Sequence, residues 1–191
     1  MASAPAGEPA TGTREQLFGG ATSYLQHLGG IMGALSDAQY TQESRALPGS
    51  TIGKHVRHVL DHFALLLAAL GRADAGPGQP LGPVCYAHRA RDPSVQSTVA
   101  GGRAGIARTV AAIAAASRLP LPETALIAIS DTLPGGAEAG FLSTVDRELW
   151  FCIHHMVHHN AIIASLMFEL GLDPPTEFAY APSSIKHAQS G

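Results

Sequence analysis

Apolar side chains recur every three or four residues from Arg14 to about Ser36, at Leu17, Phe18, Ala21, Tyr24, Leu25, Leu28, Ile31, Met32 and Leu35. That spacing predicts an amphipathic first helix. Its glycines, Gly19, Gly20, Gly29, Gly30 and Gly33, each cost about 1 kcal/mol relative to alanine, so tertiary packing must hold it. A second stripe, Ile52, Val56, Val59, Phe63, Leu66, Leu67 and Leu70, predicts a helix over about 51–71, with Ser50-Thr51 as its cap and Gly71 at its end. Val95, Val99, Ile106, Val110 and Ile113 predict a third helix from about Ser94 to Ser117, stopped by Pro120 and Pro122. The last runs over about 144–170, with Ser143 as its cap, Asp146 in a capping-box position and Gly171 at its end.

The intervening segments read as loops. Residues 37–49 form one, and the Gly/Pro-rich stretch 73–92 forms another, long for a bundle connection and carrying Tyr86, His88 and Arg89. Leu126-Ile-Ala-Ile129 is short, β-branched and bounded by turn residues, and at most a two-stranded ribbon is expected there. No internal repeat is visible. The expectation is therefore an all-α fold, a four-helix bundle with long loops over residues 14–185, flanked by a disordered tail at 1–13 and a short tail at 186–191.

Composition narrows the function classes. The 191 residues are 46% hydrophobic and 14% charged, with a formal net charge of -3. There is no basic field to hold nucleic acid. No apolar run reaches the roughly 18 residues a membrane span requires, and the first 13 residues lack the basic start and apolar segment of a secretory signal. Cys85 and Cys152 are too few for a disulfide framework, so a cytoplasmic, reducing location is expected.

Chemistry concentrates in Ile153-His-His-Met-Val-His-His-Asn160, four histidines within six residues of an apolar run. Imidazole nitrogen is a common ligand for zinc, nickel and iron. At about 100° per residue, His155 and His159 lie at the edge of the stripe formed by Val145, Leu149, Cys152, Met156, Ile163 and Leu170. His158 lies further round and His154 nearly opposite. A zinc- or nickel-type site needs a third protein ligand, and the second helix carries His55, His58 and His62 beside its own buried stripe. His58 is the expected third ligand, with His62 and His55 behind it. Glu148 shares the inward flank of the last helix and reads as a structural partner or as support for a ligand histidine.

The segments Thr51-Ile-Gly-Lys-His-Val-Arg-His58 and Arg147-Glu-Leu-Trp-Phe-Cys-Ile-His-His-Met-Val-His-His159 resemble the DinB/YfiT-like superfamily. The resemblance covers about 20–185 in overall order, but only these two segments are specific. It implies an up-down-down-up helical bundle with a divalent metal on His58, His155 and His159, zinc or nickel first and iron or manganese also admitted. Where many members follow the last ligand with Arg-Gly-Gln, this chain has Asn160-Ala-Ile, which places it in a divergent branch. The family's activities imply a metal-dependent transferase using a low-molecular-weight thiol, with a small-molecule electrophile oriented by Tyr86 or Arg89. Glu148 completes the candidate catalytic residues. The alternatives are a metal-dependent hydrolase and a non-catalytic, stress-associated metal-binding module that dimerises through its Ala/Gly-rich helix faces.

Overall fold

The computed structural model describes residues 12–72, 79–181, 184 and 187. Most of the expected N-terminal tail and nearly all of the C-terminal tail lie outside these residues. Among them, the chain forms six helices and a three-stranded mixed sheet: α1 Thr13–Met32, α2 Asp37–Thr41, α3 Ile52–Leu70, β1 Leu81–Val84, α4 Pro93–Ser97, α5 Val99–Ala116, β2 Leu126–Thr132, β3 Glu138–Thr144 and α6 Val145–Glu169. The expectation of an all-α four-helix bundle is corrected accordingly.

The sheet has the order β1-β2-β3. β1 emerges from what the pattern presented as a loop and pairs in parallel with β2, Leu81 opposite Ile127 and Val84 opposite Ile129. Its four residues include Gly82 and Pro83, which hide any strand periodicity. β2 and β3 form an antiparallel hairpin, with Ile129 opposite Phe141 and Ile127 opposite Ser143. Gly135 and Gly136 both take positive φ in its turn, a conformation most side chains resist. β3 is mostly exposed, so it lacks the alternation by which a half-buried strand is recognised.

The helix boundaries follow local hydrogen bonding. The segment 37–49 contains α2, started by a capping box between Ser36 and Gln39. Thr51 caps α3 by accepting the Lys54 N–H. The expected third helix is divided at Thr98, which is extended, and whose side chain accepts the Gly101 N–H to begin α5 afresh. α6 is capped by Thr144, which accepts the Arg147 N–H, rather than by the expected Ser143, whose hydroxyl is bonded to Glu148. α6 closes with a Schellman arrangement. Gly171 is at φ 71°, and the N–H groups of Gly171 and Leu172 reach the carbonyls of Phe168 and Met167.

The four long helices form a ring in which α1 and α3 each pack against α5 and α6. Leu25, Leu28, Phe63, Leu66, Ile113, Met156 and Ile163 are buried at its centre. β1 packs on α3, and β3 leads directly into α6. The sheet therefore sits at the end of the bundle where α6 begins. No helix among the described residues is long and apolar enough to cross a membrane.

Tyr40 of α2 ties the ring together from one side. It is fully buried and donates its hydroxyl to the Val95 carbonyl at 2.9 Å. Gly102 of α5 leaves the space for it: a Cβ there would collide with the Tyr40 hydroxyl and with Met32. Gly19, exposed in the interior of α1, faces open space. Gly102→Ala is expected to lose about 1–3 kcal/mol through overpacking. Gly19→Ala should gain about 0.5–1 kcal/mol from helix propensity. Denaturant midpoints of the two variants measure both, and a neutral Gly102→Ala would refute the close-packing account.

Candidate metal centre

α3 and α6 meet along the flanks of their buried stripes, and five histidines meet with them. His58 and His62 come from α3, His155 and His159 from α6, and His55 from the first turn of α3. Ring centroids lie 4.5 Å apart for His58 and His159, 4.5 Å for His155 and His159, 5.0 Å for His58 and His155, and 4.2 Å for His62 and His155. One nitrogen each from His58, His62 and His155 falls within 4.8 Å of the others, a grouping that could hold a metal ion.

Of the three ligands predicted from sequence, His58 and His155 are in direct contact, Nε2 to Nε2 at 2.8 Å. A neutral imidazole carries one lone pair and one N–H. Two lone pairs facing at that distance require a proton or a cation between them. His159 is buried in the same stack, but its Nδ1 contacts His55 Nδ1 at 2.8 Å, so it joins the group through its ring rather than as a member of the closest nitrogen triad. His62 takes that third place. Its Nδ1–H donates to the His58 carbonyl at 2.8 Å, which leaves the Nε2 lone pair free to bind. The promotion of His62 over His159 was foreshadowed only by the 55/58/62 spacing on one helical flank. His154 and His158 are exposed, and His154 packs on Trp150.

The three expected catalytic candidates occupy different places. Tyr86 follows β1, and its ring stacks on His62 at 5.1 Å and 12°. Its hydroxyl points away, donating to Glu148 at 2.9 Å. Glu148 is fully buried and also accepts from Ser143 at 2.7 Å and from Arg147 at 2.8 Å. All three donors serve to hold the carboxylate in place, so it anchors Tyr86 rather than reaching the histidines. Arg89 donates to the Tyr86 carbonyl at 2.7 Å, and its charge is felt at His58, His62 and His155. Phe151 packs against His62, Tyr86 and His155 and completes an aromatic wall that sequence reasoning had not singled out. Cys152 is buried core, its thiol pushed up to about 12, chiefly by burial.

Burial and neighbouring positive groups keep the histidines neutral. His58 is lowered to about 3, by burial first and then by His62, His155 and Arg89. His155 is lowered to about 4, by burial and then by His62. His55, His62 and His159 are lowered as well, each chiefly by burial. Neutral imidazole is the metal-binding form. The donor set, three imidazole nitrogens with no thiolate among them, suits zinc, nickel or iron without selecting one.

The same shifts set the pH response of the metal-free protein. An unfolded histidine titrates near 6.5, above all five folded values, so below that pH the unfolded state binds more protons. Stability from the cluster is complete above about pH 7 and is lost progressively as pH falls from about 6.5 through the folded values of His155, about 4, and His58, about 3. Urea unfolding in chelator should show a lower midpoint at pH 5 than at pH 7.5, and a smaller drop in a His58→Phe/His155→Phe double variant. Equal drops in the two proteins would remove the histidines as its source.

No family model matches the chain, and no solved structure matches it significantly. Over 68 residues, 36% of its length, the chain is 40% identical to FK506-binding protein 5 of Rhizopus delemar. The matched segment spans 17% of that protein.

Proposed function

We propose that the chain is a divergent DinB/YfiT-like protein that binds a divalent metal on the α3–α6 histidines and acts as a metal-dependent transferase using a low-molecular-weight thiol. The observation that carries the reading is the convergence of His58, His62 and His155 nitrogens within 4.8 Å on two packed helices. His58 and His155 are the central ligands, with His62 or His159 as the third. When His159 donates its Nδ1–H to His55, its lone pair sits on Nε2. His55 can pass its own Nε2–H to Ser50 Oγ, 2.6 Å away. Such outer hydrogen bonds orient ligand histidines and raise their basicity.

A bound divalent ion supplies Lewis acidity that favours the thiolate form of a thiol. The sulfur forms a bond to carbon of an electrophile as the leaving group departs with its electron pair, and the thiol proton passes to solvent. The protein's own contribution is positional. Tyr86 and Phe151 wall the histidines on the β1 side, and Arg89, held by the Tyr86 carbonyl, offers a guanidinium to an anionic group of the substrate. Glu148 fixes Tyr86 and takes no proton from substrate.

Metal analysis of the purified chain should find about one divalent ion per molecule. His58→Ala and His155→Ala should each abolish binding, as expected when one of three protein ligands is lost, while His154→Ala retains it. Full metal content in His155→Ala would sink the ligand assignment. A screen of electrophiles with low-molecular-weight thiols should show metal-dependent thiol consumption. Thiol-independent hydrolysis would instead support a hydrolase, and bound metal with no turnover would support a binding module.

A further inference from the structure

The outward face of α6 is uncharged over most of its length. At about 100° per residue, Trp150, His154, His158, Ala161, Ser165 and Phe168 fall in one stripe on the side away from the bundle, and all six are exposed. The solvent side of a helix ordinarily carries charge. Here Trp150 is 51% and Phe168 61% exposed, large apolar groups whose exposure to water is costly. Between α6 and the segment 173–180 lies a hollow of about 590 Å³, lined by Ser165, Phe168, Pro174, Pro175 and Tyr180. Knob and hollow thus sit at opposite ends of one helix face, with Trp150 and Phe168 about 27 Å apart along the axis.

The two ends fit each other under a two-fold rotation. An antiparallel pair of α6 helices, centred between His158 and Ala161, sets Trp150 against the partner's Phe168, at the mouth of the partner's hollow. It sets His154 against the partner's Ser165, imidazole to hydroxyl, and His158 against the partner's Ala161, ring to methyl. One turn before Trp150, Arg147 has a side chain 55% exposed. The same rotation brings it to the partner's Asp173, an exposed carboxylate lining the hollow. Each contact occurs twice, as an isologous interface requires, and the charges that meet at its ends are opposite. Half of a large aromatic side chain is about 100 Å², so Trp150, Phe168 and the 50% exposed Tyr180 of two copies bring about 600 Å². The intervening stripe raises this to roughly 1,200 Å², where specific interfaces begin.

We propose that the chain forms a two-fold homodimer through the outward face of α6, with Trp150 of each copy seated in the hollow of the other. His154, packed on the indole with ring centroids 4.5 Å apart, holds the ring for insertion. A closed two-fold interface stops at two copies.

Trp150 is the sole tryptophan of the chain, so its fluorescence reports the contact directly. Sedimentation equilibrium of the full chain should fit a reversible monomer–dimer transition. Over the same concentration range the emission should shift to the blue and acrylamide quenching should fall. Trp150→Ala should weaken the dimer about 30-fold or more, the loss of an interface hot spot. Ala161→Arg, which places a guanidinium at the crossing, should do the same. Asp173→Arg should weaken it about tenfold or more, because like charges then meet at Arg147. Phe141→Ala, which removes a similarly exposed aromatic of β3, should leave it unchanged. All four substitutions are at exposed positions, and circular dichroism should show the fold retained in each. A monomer at every concentration, a dimer whose Trp150 emission does not move, growth beyond two copies, unchanged association in Trp150→Ala, or equal weakening by Phe141→Ala would each overturn the proposal.

Discussion

The packing of α3 on α6 is the constraint on which the rest of the molecule depends. Each helix carries histidines beside, rather than opposite, its apolar stripe, so burying the stripes necessarily presses imidazoles together. The result is a His58–His155 nitrogen contact of 2.8 Å within a stack of five rings. Burial and mutual repulsion disfavour protons there. Hydrophobic packing thus supplies the energy that holds several lone-pair-bearing groups closer than they would sit in water.

The sheet serves that arrangement from the end of the bundle. β1 is short, but pairing with β2 directs the chain so that Tyr86 stacks on His62 while its hydroxyl reaches Glu148. A fully buried carboxylate would be costly alone. Here Tyr86, Ser143 and Arg147 all donate to it, which links the β1 loop, the end of β3 and the first turn of α6. The network fixes the aromatic wall against the histidines without placing an acid among them.

α3 works on two faces. One presents His55, His58 and His62 to α6, and the other presents alanines and Asp61 to α5. The two polar clusters share the influence of Arg89, whose charge acts on Asp61 as well as on His58. A helix with polar groups on both flanks of a buried stripe must find partners for each. The histidines find one another, whereas Asp61 pairs with Arg57 at 3.6 Å and feels Arg89 and Arg91 as well.

The sequence by itself determined the long helices and the inward choice on α6. A 3.6-residue period places His155 and His159 beside the stripe and His154 and His158 away from it, and the observed burial follows that division. Caps were local enough to read in part: Thr51 and Gly171 act as their types predict, while the start of α6 moved by one residue to Thr144. Tertiary structure decided the sheet, because β1 is too short and β3 too exposed to show a strand period, and their pairing with β2 joins segments about 45 residues apart in the case of β1. It also decided that His62 rather than His159 completes the closest nitrogen triad. Helical period states which side of a helix a residue occupies, but ring orientation depends on the hydrogen bonds made across the interface. His62 is turned by the His58 carbonyl and His159 by His55, and neither partner can be chosen until the helices have met.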